Sequence, residues 1–195
     1  MKKASIVVPA VLSMALSASA QVWNIDKVHS NVGFTVQHLV ISKVKGNFKD
    51  FQGTINFDGK NWENASAEMT VMVNSVSTDD DKRDAHLKSP DFFDAEKYPE
   101  MTFKSKKVVK SDGNKFKLIG DLTIRGVTKE VPFDCEFNGV TDFMGTTKAG
   151  FSANTKINRK DFGVNWNKTL DTGGVVVSDE VEINLEVEAS KVDKT

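Results

Sequence analysis

The chain has 195 residues, with 26 basic against 27 acidic side chains and a formal charge of -1. That balance leaves no basic excess to attract nucleic acid, and a single cysteine, Cys135, excludes an internal disulfide. Thirteen Phe stand against one Tyr and three Trp, so the aromatic rings carry few polar handles and suit an apolar partner.

The first twenty residues read as a removable leader. Lys2 and Lys3 form a positive start, Ile6 to Leu16 is mostly apolar, and Ala18-Ser19-Ala20 fits small-residue cleavage, giving a mature chain from Gln21 to Thr195. The apolar run is too short to span a membrane. Losing the two lysines takes the formal charge from -1 to -3. The expectation is an exported, periplasmic, soluble protein of one domain, 21–195, large enough for a sizeable core.

From Trp23 onward strand alternation recurs at short intervals. In Val32-Gly33-Phe34-Thr35-Val36-Gln37-His38 the even-numbered residues share one face, which ends at an imidazole. Val44, Gly46 and Phe48 form the next row. The alternation slips by one near Asp50, as a β-bulge would make it, and continues as Phe51, Gly53, Ile55 and Phe57 before a turn at Asp58-Gly59. Further rows are Ala65 to Val73; Met101 with Phe103; Phe116, Leu118, Gly120, Leu122 and Ile124; Val131 to Phe137; Ala149 to Ile157; and Val181 to Ala189. Turns are expected at Asp112-Gly113-Asn114, Arg125-Gly126, Asn138-Gly139 and Gly173-Gly174. Eight or more strands, each apolar on one face, mean an all-β antiparallel sandwich or closed barrel.

One segment breaks the pattern, a helical insertion near 79–95. Thr78 is the expected cap, Asp79, Asp80 and Asp81 suit the positive helix end, and Ser89-Pro90 the stop. Of the adjacent Phe92 and Phe93, one is expected to face the core and the other elsewhere. The insertion is a candidate lid at a barrel mouth.

Glycines and alanines interspersed among phenylalanines on the apolar rows fit a lumen with space for one ligand, although small residues also fit a taper. The inward rows, with Phe92 and Phe93 of the insertion, nominate Phe34, Val36, Phe48, Ile55, Met69, Phe92, Phe93, Met101, Phe103, Leu118, Phe133 and Phe151 as lumen residues. Two polar residues are candidates for a ligand's head group. His38 either contacts it or bonds a backbone carbonyl, and Arg159 either contacts it or is a solvated loop residue paired with Asp161. Arg125 reads as a turn residue. His29, His38 and His86 have no metal-ligand spacing, no nucleophile elbow occurs, and an apolar site silences Cys135 as a nucleophile. No catalytic or metal residue is assigned.

Seven segments in order resemble the YceI family of bacterial periplasmic proteins: Trp23 to Ser30, Phe34 to His38, Gly46-Asn47-Phe48 with Phe51-Gln52-Gly53, Asp84 to Ser89, Phe92 to Ala95 with Tyr98-Pro99, Gly120 to Lys129, and Ile157 to Gly163. The resemblance implies an extended lipocalin-like antiparallel β-barrel of about eight strands. Its lumen would bind a long apolar chain, typically a polyisoprenoid such as a quinone tail, with no established enzymatic activity and no required cofactor. The leading expectation is a periplasmic carrier or store, monomeric or dimeric, with a possible transient membrane-protein partner. An enzyme acting on a lipid head group through His29 or His38 and a stress-response interaction module are the alternatives.

Overall fold

The structure, a computed structural model, describes residues 21–59, 62–169 and 175–192. The leader and the Gly173-Gly174 turn lie outside them. The strands are β1 (Gln21–Ile25), β2 (Asn31–His38), β3 (Ser42–Phe48), β4 (Phe51–Phe57), β5 (Ser66–Met72), β6 (Val76–Ser77), β7 (Glu100–Lys110), β8 (Lys115–Ile124), β9 (Val127–Phe143), β10 (Thr146–Asn158) and β11 (Val177–Lys191). The helix α1 (Asp81–Lys88) lies between β6 and β7.

All pairings are antiparallel, and β1-β4-β5-β7-β8-β9-β10-β11 closes on itself through β1–β11. The result is a barrel rather than a sandwich. Its edge of β11 is shared: Ala189 to Lys191 pair with β1, whereas Val177 to Glu186 pair with β2. β1 and β2 therefore form one stave bent at Asp26 to Ser30, and β3 and β4 form the next, interrupted at Lys49-Asp50. That interruption is the slip expected near Asp50. It keeps Phe48 and Phe51 both buried although they are three residues apart.

Because β3 meets only the two-residue β6 on its far side, at Asn47 and Phe48, the β2–β3 hairpin overhangs the barrel rim. Antiparallel register puts this hairpin, the β8–β9 turn, the Arg159–Phe162 turn and α1 at the same end. The opposite end is closed by rings: Trp23 on Phe57 (4.7 Å), Phe57 on Phe151 (5.5 Å) and Phe137 on Phe151 (5.2 Å).

Two local expectations need correction. Asn138-Gly139 is not a turn: β9 runs through it, Gly139 takes φ 116, and the register shift opposite Gly150/Phe151 marks a bulge. The turn comes at Met144-Gly145, φ 50 and 80. Thr78 does not cap α1. The cap is Asp80, which accepts from the Arg83 N–H at 2.9 Å, while the Thr78 amide and hydroxyl are spent on the buried Asp84 carboxylate (2.8 and 2.5 Å). Arg83 closes the group by donating to the Thr78 hydroxyl and carbonyl, both at 2.7 Å. Among the described residues no helix is long and apolar enough to cross a membrane.

Candidate ligand-binding site

Every inward row faces one cavity of about 240 Å³, just below the roughly 300–1,000 Å³ typical of small-molecule sites. It is long rather than round. Phe116 and Ile124 both line it, and that stretch of β8 covers about 26 Å along the strand, or ~20 Å along a barrel axis tilted by ~40°. All twelve nominated lumen residues, Phe34 to Phe151, are in its wall.

Phe92 and Phe93 both line it, contrary to the expectation that they diverge. They sit in an irregular turn tied back by Phe93 N–H to Leu87 O (3.0 Å) and Ala95 N–H to Lys88 O (2.9 Å), not in a helix. Phe93 meets Phe48 edge-on at 5.9 Å; Phe92 packs on Trp166 at 5.1 Å and His86 at 4.9 Å. Arg125 is more than a turn residue: its guanidinium donates to Pro90 O (2.8 Å) and Gly163 O, tying the β8–β9 turn to this insertion.

The largest contribution missed from the sequence is β11. Val177, Val181, Ile183, Leu185 and Val187 form one wall, although the alternation from Val181 onward is the clearest in the chain. Leu87, Phe162 and Val164 near the mouth were also missed, because they lie outside strands where period 2 gives no signal.

Arg159 is in the wall and 5 % exposed. It is not a solvated loop residue paired with Asp161. Its Nε donates to Ser178 O (2.9 Å) and its Nη1 to Val164 O and Trp166 O (2.8 Å each). Nη2 is less well served, at 3.5 Å from Val177 O and 3.6 Å from Asp179 Oδ1, a buried oxygen without a hydrogen-bond partner. Burial pulls the Arg159 pKa down from its ordinary value, with Asp179 opposing. Arg159 thus chiefly fastens the loop below the mouth, with Nη2 its least tightly held nitrogen.

His38 lies outside the cavity wall. It pairs with Ser42 and Val177 at the last position of β2, at the rim, where Val177 still lines the cavity and the imidazole does not. The other histidines are elsewhere: His29 Nδ1 is 3.0 Å from Asp26, and His86 Nε2 is 2.9 Å from Asp91. Cys135 is buried in the wall, and desolvation pushes its thiol up to about 12, so no thiolate is available there.

A family model described as a YceI-like domain matches residues 23–189. A UPF0312 protein of Staphylococcus aureus (strain bovine RF122 / ET3-1) is 38% identical over 167 residues, covering 85% of this chain and 95% of its own. The crystal structure of a Campylobacter jejuni YceI protein superposes with a TM-score of 0.71 at 44% identity, covering 86% of this chain and 96% of its own. A polyisoprenoid binding domain from Saccharophagus degradans shares the fold alone, with a TM-score of 0.63 at 15% identity over 87% of this chain and 98% of its own. Barrel and sequence agree that the chain belongs to the YceI-like domain family.

Proposed function

We propose that the barrel lumen holds a long apolar chain, a polyisoprenoid such as the tail of a quinone, and that the protein carries or stores it in the periplasm. The observation that carries this reading is the wall itself: a closed barrel whose elongated cavity is lined almost wholly by carbon, with Glu68 and Arg159 its charged members among the described residues. Each buried methylene contributes about 0.8 kcal/mol, so ten chain carbons supply about 8 kcal/mol, the scale of a micromolar Kd before the cost of ordering the chain. No polar contact is needed for affinity. A single polar end group would meet Arg159 Nη2. The name of the Saccharophagus degradans relative supports the choice of an isoprenoid over other apolar chains.

In this reading the protein is a binder and not an enzyme, requires no cofactor, and exchanges its load with a membrane or a transient membrane-protein partner. The test is mass spectrometry of organic extracts from protein purified from its native host and from several expression hosts. A stoichiometric isoprenoid is expected, on a chain whose mass starts at Gln21. Protein recovered without lipid from every host overturns the reading.

A further inference from the structure

The overhanging β2–β3 hairpin ends in Leu39-Val40-Ile41, with Val40 60% and Ile41 85% exposed. Leu39 and Val40 take φ 52 and 64, positions where Asn or Gly costs least and a β-branched residue is least at ease. The fold thus accepts an unfavourable backbone at a tip that leaves Val40 and Ile41 in water, with Leu39 half-buried beside them. Lys43, Lys45 and Lys168 surround this tip. All three are exposed, and none is within ion-pair distance of an acidic group among the described residues. Lys168 is brought close by Val176, whose N–H donates to Lys168 O (3.0 Å) while its carbonyl accepts from Leu39 (2.9 Å). Asp79 and Glu182 share a shallow depression with Lys43 and Lys45, beyond ion-pair distance of either lysine. Behind the tip, Val36 of β2 and Val177 of the neighbouring β11 already line the lumen.

We propose that this hairpin is a docking tip that seats the open end of the lumen on an anionic lipid bilayer. The three apolar residues enter the headgroup–acyl boundary and the lysines meet lipid phosphates. The Val36 and Val177 surface then continues from the bilayer into the cavity. The hairpin at the closed end, with Phe143 64% and Met144 88% exposed, has Asp142 beside it and no route to the lumen, so it supplies the internal control. The reason for docking rests on the lumen reading; the docking itself does not.

The experiment is flotation of the mature chain with vesicles of phosphatidylglycerol and phosphatidylcholine, against phosphatidylcholine alone. The expected result is binding to the anionic vesicles that weakens with salt. Val40→Asn/Ile41→Ser, at exposed positions that leave the core intact, should bind at least about tenfold more weakly. Lys43→Glu/Lys45→Glu should lose roughly fivefold or more per lysine on anionic vesicles only. Phe143→Ser/Met144→Ser should bind like the parent. Failure of the parent to float, unchanged binding by the Val40/Ile41 variant, or loss of binding through Phe143/Met144 each overturns the proposal. So does sedimentation showing that the tip instead joins two copies of the chain. Lipid extraction on the same samples reads the lumen separately: loaded protein that does not float sinks the docking alone, and empty protein that floats sinks the lumen reading alone.

Discussion

Val40 holds a φ of 64 that a β-branched residue adopts at a cost of about 1–2 kcal/mol, and Leu39 beside it is at 52. Leu39→Asn/Val40→Gly gives the two-residue turn its preferred chemistry and is expected to raise unfolding stability by about 1–2 kcal/mol in urea melts. An unchanged or lowered midpoint would mean that the turn is not strained. The glycines on the inward rows teach a related lesson. In the sequence they imply empty space, but a Cβ built on Gly46 would fall 2.4 Å from the Phe34 ring, and one on Gly120 would fall 2.6 Å from the Phe103 ring and 2.5 Å from the Lys104 carbonyl. Their absent side chains are occupied by neighbouring rings and backbone, an arrangement in which aromatics cover strand glycines. Composition could show that small and large residues alternate, but not whether the large ones lean over the small.

At the scale of elements, the insertion at the mouth is pinned by the carboxylate of Asp84, which satisfies two Thr78 donors at a buried site. Asp84→Ala leaves those donors unpaired and should cost about 2–3 kcal/mol, with faster lipid exchange and lost hydrogen-exchange protection in α1. Unchanged exchange kinetics would show that the insertion does not gate the lumen. At the bend between β1 and β2, Asp26 accepts from His29 and Lys148, and Lys148 also bonds Glu188 (3.0 Å), joining β10 and β11 to the bend. The His29 hydrogen bond first, and Lys148 next, hold the Asp26 carboxyl well below the usual carboxylate range. Because its folded pKa is depressed, this stabilisation is fully present above about pH 4 and is lost as pH falls further through the folded value. Asp26→Asn should therefore lower stability at neutral pH, on the order of 1 kcal/mol, and flatten the decline below pH 4; a parallel acid limb in parent and variant would refute it. Strands of this kind were legible because each has one face on the lumen and one in water, so period 2 is almost unbroken in β8 and β11. The misplaced cap and the false turn at Asn138-Gly139 share one cause. Thr78 and Asn138-Gly139 carry the right local chemistry, but their partners, Asp84 and the β10 register, are fixed by packing that a local pattern does not contain.

Across the whole molecule, the alternation that reveals the strands is equally compatible with two facing sheets. Closure depends on Trp23 to Ile25 finding Ala189 to Lys191 at the far end of the chain, a pairing no local signal specifies. The family resemblance selected the barrel, and within it the strand rows led to ten of the twelve wall residues because inward and apolar coincide there; Phe92 and Phe93 came from the insertion. His38 failed the same rule because it ends β2 at the rim, where an inward register no longer means a place in the wall. A barrel that encloses a cavity leaves side chains without partners on one side, so filling the void and binding a lipid compete for the same free energy. Ala153 lies on the wall, half-buried, between the buried Phe151 and Thr155. Ala153→Phe places a ring in the lumen where there is room for one. The variant is expected to keep the fold, to melt at or above the temperature of the delipidated parent, and to lose the further stabilisation that a saturating lipid gives, about 4 kcal/mol at a thousand times Kd. Calorimetry of parent and variant, each with and without added isoprenoid, reads both effects. A variant that still gains the full increment would place the ligand outside the barrel, and a variant that unfolds would mean that the lumen is already packed.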